Sequence, residues 1–273
     1  VPAAFEPEKP VFGYQATGVL PDRMTPARQR VLDVMQDTPP LPGTELARLA
    51  GVSASVVKGL FEAGALQKTA LQPSLARPRP DPNFARVQLT PDQEGVATAL
   101  ADAVAQQDFG VYVLDGVTGS GKTEVYFEAI ARGLQADRPA LILLPEISLT
   151  AQFLARFGRR FGCAPALWHS GLTHAERRRT WRAVSENRVQ VLVGARSALF
   201  LPWPDLGVII VDEEHDGGFK QEDGVVYNAR DMAIVRAQLT GCSVILSSAT
   251  PSLETFINAR QGRYQTHRLA ARH

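Results

Sequence analysis

The run Gly116-Val-Thr118-Gly119-Ser120-Gly121-Lys122-Thr123 fits the phosphate-binding pattern G-x-x-x-x-G-K-[ST] at every fixed position. It follows an apolar stretch at 111–114 and opens a helix-like segment at 124–135, the strand, loop, helix setting in which such a loop works. Glycines let the backbone curl so that several N–H groups face an anion, and the helix N-terminus adds partial positive charge at the same place. Gly116, Thr118, Gly119, Ser120 and Gly121 are therefore candidates to cradle a nucleoside triphosphate. Lys122 would reach its outer phosphates and Thr123 would hold Mg²⁺. A second group stands at Val208-Ile-Ile-Val-Asp212-Glu213-Glu214-His215, where an apolar strand ends abruptly in three acids and a histidine. At the carboxyl end of a parallel strand beside the phosphate loop, Asp212 can hold Mg²⁺ through water. Glu213 can orient the attacking water or take its proton, so Lys122, Asp212 and Glu213 are the catalytic candidates.

Both groups need a frame that holds strand ends side by side. Apolar runs at 111–114, 141–144, 166–168, 189–193, 208–211 and 244–246 are separated by helix-length segments. Runs apolar on both faces imply a parallel sheet covered by helices on both sides, an α/β fold. Thr173-His-Ala-Glu176 is a capping box that starts an arginine-rich helix, and Gly241 ends the helix carrying Met232, Ile234 and Val235. Four prolines at 73–82 leave few backbone donors, so 73–86 reads as a linker between a small domain at 1–72 and the α/β domain at 87–273. The small domain shows Thr25-Pro26 starting one helix, further helices at 44–50 and 53–63, and short strands at 11–19 and 65–71. That α+β pattern matches a winged helix. Its last helix exposes Ser53, Ser55, Lys58 and Glu62, and with one lysine it reads equally as a DNA-contacting or as a packing helix.

Net charge is only +1, which says nothing about nucleic acid, but its distribution does. Residues 151–190 hold eight arginines against Glu176 and Glu186, a local +6, leaving about −5 elsewhere. Phe153, Phe157, Phe161, Trp168 and Trp181 are interleaved at helical spacing, which suits a core and, alternatively, base stacking. Cys163 and Cys242 lie in no zinc spacing and are expected as reduced thiols. No apolar run reaches membrane length and the N-terminus lacks a signal-peptide pattern, so a cytoplasmic location with no membrane partner is expected.

Asp212-Glu-Glu-His215 also resembles the DEAH-type motif of superfamily 2 helicases, and Ser248-Ala-Thr250 resembles their motif coupling the triphosphate site to nucleic acid. On that resemblance His215, Ser248 and Thr250 are coupling residues; on composition alone they also read as a core histidine and polar strand ends. Leu89-Thr-Pro-Asp-Gln93 resembles a Q-motif, whose glutamine reads adenine, although Gln93 also completes a capping box with Thr90. Leu144-Pro-Glu-Ile-Ser-Leu-Thr150 and Gly194-Ala-Arg-Ser-Ala-Leu-Phe200 sit where these enzymes place strand-binding motifs. With His169-Ser-Gly-Leu172 and Ala229-Arg-Asp231 added, the winged helix and the whole α/β part resemble the PriA family of bacterial replication-restart DNA helicases.

The resemblance implies a RecA-like first motor lobe, ATP and Mg²⁺ as cofactors, and 3′-to-5′ unwinding of forked DNA at single-strand to duplex junctions. Arg196, Arg177, Arg178 and Lys220 become DNA-binding candidates. Single-stranded-DNA-binding protein and primosome proteins become implied partners, with the bacterial nucleoid as the site of action. Two positions depart from the family pattern: Val225 stands where a Trp is usual in the aromatic-rich loop, and Ala195 where Thr is common. The family also carries a second lobe with an arginine finger and zinc-binding cysteines. The chain is therefore expected to be a middle fragment that binds ATP and hydrolyses it poorly. An RNA-directed DEAH-type enzyme and a fork-binding scaffold with a vestigial motor are the alternatives.

Overall fold

The computed structural model describes residues 11–35, 38, 40–71, 78–148 and 150–270. They fall into two compact units, 11–71 and 78–270. The small unit runs β1 (Val11–Ala16), α1 (Pro26–Met35), β2 (Leu41–Pro42), α2 (Gly43–Leu49), α3 (Ala54–Glu62) and β3 (Leu66–Leu71). Its antiparallel sheet has the order β2-β1-β3, with Val11 opposite Leu71 and Ala16 opposite Leu66. Val31, Leu46, Val57, Leu60 and Leu66 form its core, the apolar faces that the helical spacing predicts. Gly51 turns the chain between α2 and α3 at φ +61°, a left-handed conformation that a β-carbon would make costlier by about 1 kcal/mol.

The predicted linker divides in two. Residues 72–77 lie outside the described residues, whereas 78–86 pack against the large unit. Prolines lack N–H groups but keep carbonyl acceptors, and Arg160 Nη1 donates to Pro82 O at 2.9 Å. The N–H of Asp81 donates to Phe161 O at 3.0 Å, and the Cys163 thiol to Pro78 O.

The large unit runs α4 (Pro91–Ala105), β4 (Gly110–Gly116), α5 (Lys122–Gln135), β5 (Ala140–Leu143), α6 (Ala151–Phe161), β6 (Ala166–Trp168), α7 (His174–Ser185), β7 (Val191–Gly194) and β8 (Val208–Asp212). A short hairpin, β9 (Lys220–Gln221) and β10 (Tyr227–Asn228), then leads to α8 (Ala229–Thr240), β11 (Ser243–Ser248), α9 (Leu253–Arg260) and β12 (Gln265–Leu269). Seven strands form one parallel sheet in the order β12-β4-β11-β8-β5-β7-β6. Alternate residues of each central strand feed two cores. Leu114, Ile142, Ile210 and Ile245 meet Tyr126, Phe127, Phe157 and Phe161 on one face. Leu141, Val211 and Leu246 meet Ala233, Ala237 and Trp203 on the other. The fold is thus the α/β sheet covered on both faces that the apolar runs imply.

Two details decide between sequence readings. Phe127 makes edge contacts with Phe157 and Phe161 at ring distances of 5.7 and 5.4 Å, and Phe153 packs on the same cluster, so these rings are core. Trp168 and Trp181 pack against the opposite core. The edge strand β12 has no counterpart in the sequence reading because Gln265-Thr-His-Arg-Leu269 is polar. It is made by register alone, Gln265 to Leu269 pairing with Tyr112 to Gly116.

Candidate nucleotide site

In the sheet β11 lies between β4 and β8, so the loops leaving β4 and β8 open on the same end of the sheet. The loop after β4 closes with the N–H of Ser120 donating to Val117 O at 3.0 Å, then enters α5 at Gly121. Gly121 is required twice over. Its φ is +84°, and a β-carbon would sit 2.4 Å from Gln93 Nε2. The Lys122 ammonium, almost fully buried, donates to Gly116 O at 2.7 Å, so it lies folded along the loop it is expected to serve.

Gln93 satisfies both readings of its side chain. Its Oε1 accepts from the N–H of Thr90 at 3.0 Å while Thr90 Oγ1 caps the N–H of Gln93, a full capping box at the start of α4. Its Nε2 donates to Ser120 O at 2.9 Å, which ties α4 to the phosphate loop. Val87, Leu89 and Gln93 line a 560 Å³ cleft together with Gly119, Gly121, Lys122, Thr123, Asp212 and Glu213. Sequence reasoning missed two further lining residues, Glu124 and Arg156, which pair at 3.4 Å. Burial pushes the Glu124 carboxyl above its ordinary range, with Arg156 and Arg159 opposing.

The loop after β8 holds its side chains individually. Asp212 Oδ2 accepts from the Tyr126 hydroxyl at 2.9 Å, and Oδ1 accepts from Ser247 Oγ at 2.7 Å and from the N–H of Glu213 at 3.1 Å. Ser247 stands opposite Asp212 in the β11 to β8 register, which explains that contact. Glu213 adopts φ +50°, uncommon for a residue with a β-carbon, and lines the cleft. Partial burial, then the charge of Asp212, raises the Glu213 carboxyl above its ordinary value, while Lys122 and His215 pull it back. A carboxyl so placed is a better proton acceptor than a free one.

His215 leads away from the cleft. Its Nδ1 lies 2.8 Å from Ser248 Oγ and 3.7 Å from Glu213 Oε2, and Ser248 Oγ accepts the N–H of Thr250 at 3.0 Å. His215, Ser248 and Thr250 are therefore one hydrogen-bonded group, although Thr250 takes part through its backbone. Glu214, to which the sequence reading gave no separate role, is fully buried. Its carboxylate accepts from Arg230 Nη1 at 3.3 Å, the N–H of Ser252 at 2.7 Å, Ser252 Oγ at 3.1 Å and Thr255 Oγ1 at 3.0 Å. The only sequence signals were the quoted Ala229-Arg-Asp231 segment and the third acid itself.

The four DNA-binding candidates lie apart from the cleft lining. Arg196 Nη1 donates to Gly218 O at 3.2 Å and Lys220 O at 2.9 Å, so it holds the segment between β8 and β9. Arg177 Nη2 donates to Ser170 O at 2.8 Å, Lys220 pairs with Glu222 at 2.8 Å, and Arg178 is exposed. Val225 is 80% exposed in the turn between β9 and β10. Among the described residues no helix is long and apolar enough to cross a membrane.

A family model described as DEAD/DEAH box helicase matches residues 90–258. The chain is 37% identical over 257 residues to the replication restart protein PriA of Bacillus subtilis (strain 168), covering 92% of this chain and 32% of that protein. It is 49% identical over 161 residues to the protein of the same name from Rickettsia prowazekii (strain Madrid E), covering 59% and 25%. The chain thus spans a quarter to a third of the length of the curated relatives it matches. Among solved structures, the Pyrococcus furiosus Hef helicase domain aligns with a TM-score of 0.46 at 18% identity, over 65% of this chain and 37% of that one.

Proposed function

We propose, from the premise that the chain belongs to the DEAD/DEAH box helicase family and is a partial homologue of PriA, that it is the first motor lobe and winged helix of an ATP-dependent 3′-to-5′ DNA helicase. The whole enzyme acts in restarting stalled replication forks, on forked DNA in the bacterial cytoplasm, with single-stranded-DNA-binding protein and primosome proteins as partners. The observation that carries the reading is the meeting of Lys122, Thr123, Asp212 and Glu213 around one cleft, with His215 leading from it to Ser248 and Thr250.

The phosphate loop binds the triphosphate through backbone N–H groups and the Lys122 ammonium, which exchanges its contact with Gly116 O for phosphate oxygens. Gln93, anchored to the loop, lines the same cleft and reads adenine there. Mg²⁺ fits the residues present. Among the described residues no group of three or more His, Cys, Asp or Glu forms a cage, and Mg²⁺ characteristically takes one or two protein oxygens plus phosphates and water. Thr123 and, through water, Asp212 would hold it, and its chemistry is to neutralise charge on the phosphates. Glu213 orients the attacking water and accepts its proton. His215, Ser248 and Thr250 relay the state of that site toward the DNA-facing surface, where Arg177, Arg178, Arg196 and Lys220 meet the strand.

ATPase assays of the full-length protein test this. Turnover is expected to rise with single-stranded or forked DNA and not with RNA of the same sequence, and Lys122→Ala should abolish turnover and unwinding. Equal stimulation by RNA would move the assignment to an RNA-directed enzyme. Fork binding and partner recruitment by a wild-type protein without turnover would make it a scaffold. These 273 residues alone are expected to bind nucleotide yet turn over about a thousandfold or more slowly, the usual effect of a missing arginine finger.

A further inference from the structure

Tyr126 is fully buried on α5, one turn after Thr123. Its phenol donates to Asp212 Oδ2 at 2.9 Å. We infer that Tyr126 is a positioning residue for the divalent cation of the nucleotide site, fixing the orientation of the Asp212 carboxylate that would hold it through water. This rests on the reading of the cleft as an ATP site.

The geometry gives the reason. Thr123 leaves the phosphate loop on α5, whereas Asp212 ends β8, and in the sheet β11 separates β8 from β4. Tyr126, three residues after Thr123 on the same helix, spans this gap with its hydroxyl bond to Asp212. On Asp212, Tyr126 takes Oδ2 while Ser247 and the N–H of Glu213 take Oδ1, so the carboxylate cannot rotate. Partners of this kind, one step out from a metal ligand, typically change metal affinity about 10- to 100-fold when removed. Phe127, the next residue, packs into the aromatic cluster and holds α5 in place, so the ring of residue 126 can keep its position without the hydroxyl.

The test is Tyr126→Phe in the full-length protein, with binding of a fluorescent ADP analogue measured with and without Mg²⁺. Affinity without Mg²⁺ is expected to match wild type, while the Mg²⁺ concentration giving half-maximal enhancement rises about tenfold or more. Ser247→Ala, which removes the partner of the other oxygen, should shift it in the same direction. Unchanged Mg²⁺ dependence in Tyr126→Phe, with only a lower melting temperature, would mean that the tyrosine merely packs and would overturn the inference. Failure of the wild-type protein to bind the analogue at all would instead overturn the assignment of the cleft.

Discussion

Between Gly116 and Gly121 the chain offers backbone; between Asp212 and His215 it offers side chains. The first loop has few side-chain anchors of its own. Lys122 leans on Gly116 O, Gln93 reaches in to Ser120 O, and the buried Ser120 Oγ has no hydrogen-bond partner among the described residues. In the second loop three of the four side chains are held by other elements: Asp212 by α5 and β11, Glu214 by α8 and α9, His215 by β11. A loop that cradles an anion must keep its donors free, whereas a loop that positions a base must hold acids against their mutual repulsion. The acids therefore pay in partners for what the glycines provide by lacking a β-carbon.

The largest effect expected from this contrast is at Glu214. Removing its carboxylate in Glu214→Ala leaves the buried Arg230 guanidinium with Ser252 Oγ and the more exposed Asp231 and Glu254, and leaves the Ser252 N–H and the Thr255 hydroxyl without their acceptor. Breaking a buried pair in this way costs about 3–5 kcal/mol. Urea unfolding should read that loss, while Lys122→Ala in the same assay should lose about 1 kcal/mol or less. If Glu214→Ala also stays within about 1 kcal/mol of wild type, the second loop is not held by its side chains and the contrast fails.

Two glycines of the first loop sharpen the comparison at a smaller scale. Gly119 and Gly121 have nearly the same φ, +83° and +84°, but a β-carbon at Gly119 meets nothing within 4 Å while one at Gly121 meets Gln93 at 2.4 Å. Both alanine substitutions should cost about 1–2 kcal/mol of backbone strain. Only Gly121→Ala should also displace Gln93 and, through the lost hold on Ser120 O, weaken nucleotide affinity several-fold beyond Gly119→Ala. Equal affinities for the two variants would sink the role given to Gln93 as an anchor of the loop.

The same contrast governs how much was legible in the sequence. The phosphate loop is local: its glycines, lysine and threonine lie in eight consecutive residues, and the strand before it is an apolar run, so loop and fold class could both be read directly. Asp212 and Glu213 were legible for the same reason. Their partners were not, because Tyr126 is 86 residues from Asp212 and Thr255 is 41 from Glu214, separations that only the sheet order closes. Arg156 and Glu124 carry no motif of their own and meet at the cleft through an ion pair between α6 and α5. The polar strand β12 gave no periodic signal, and its place at the sheet edge follows from pairing alone.

Glu213 is the one acid of the second loop left without a firm partner, and its titration should reveal this. Partial burial and the charge of Asp212 raise its carboxyl above the ordinary value, so the folded, nucleotide-free protein binds this proton more tightly than the unfolded chain. Below the ordinary carboxylate range both states are protonated and the site costs nothing. As pH rises through that range to the raised folded value, folding takes up a proton and stability falls, after which the penalty is constant. Glu213→Gln has no charge to desolvate. Its melting temperature should therefore match wild type in acid and exceed it by a small, growing margin as pH approaches neutrality, while turnover is lost. The side chain is 39% exposed, so solvent keeps that margin modest. A difference that is flat with pH, or a variant less stable at neutral pH, would show that Lys122 and His215 already compensate Glu213 and that this loop holds all of its acids alike.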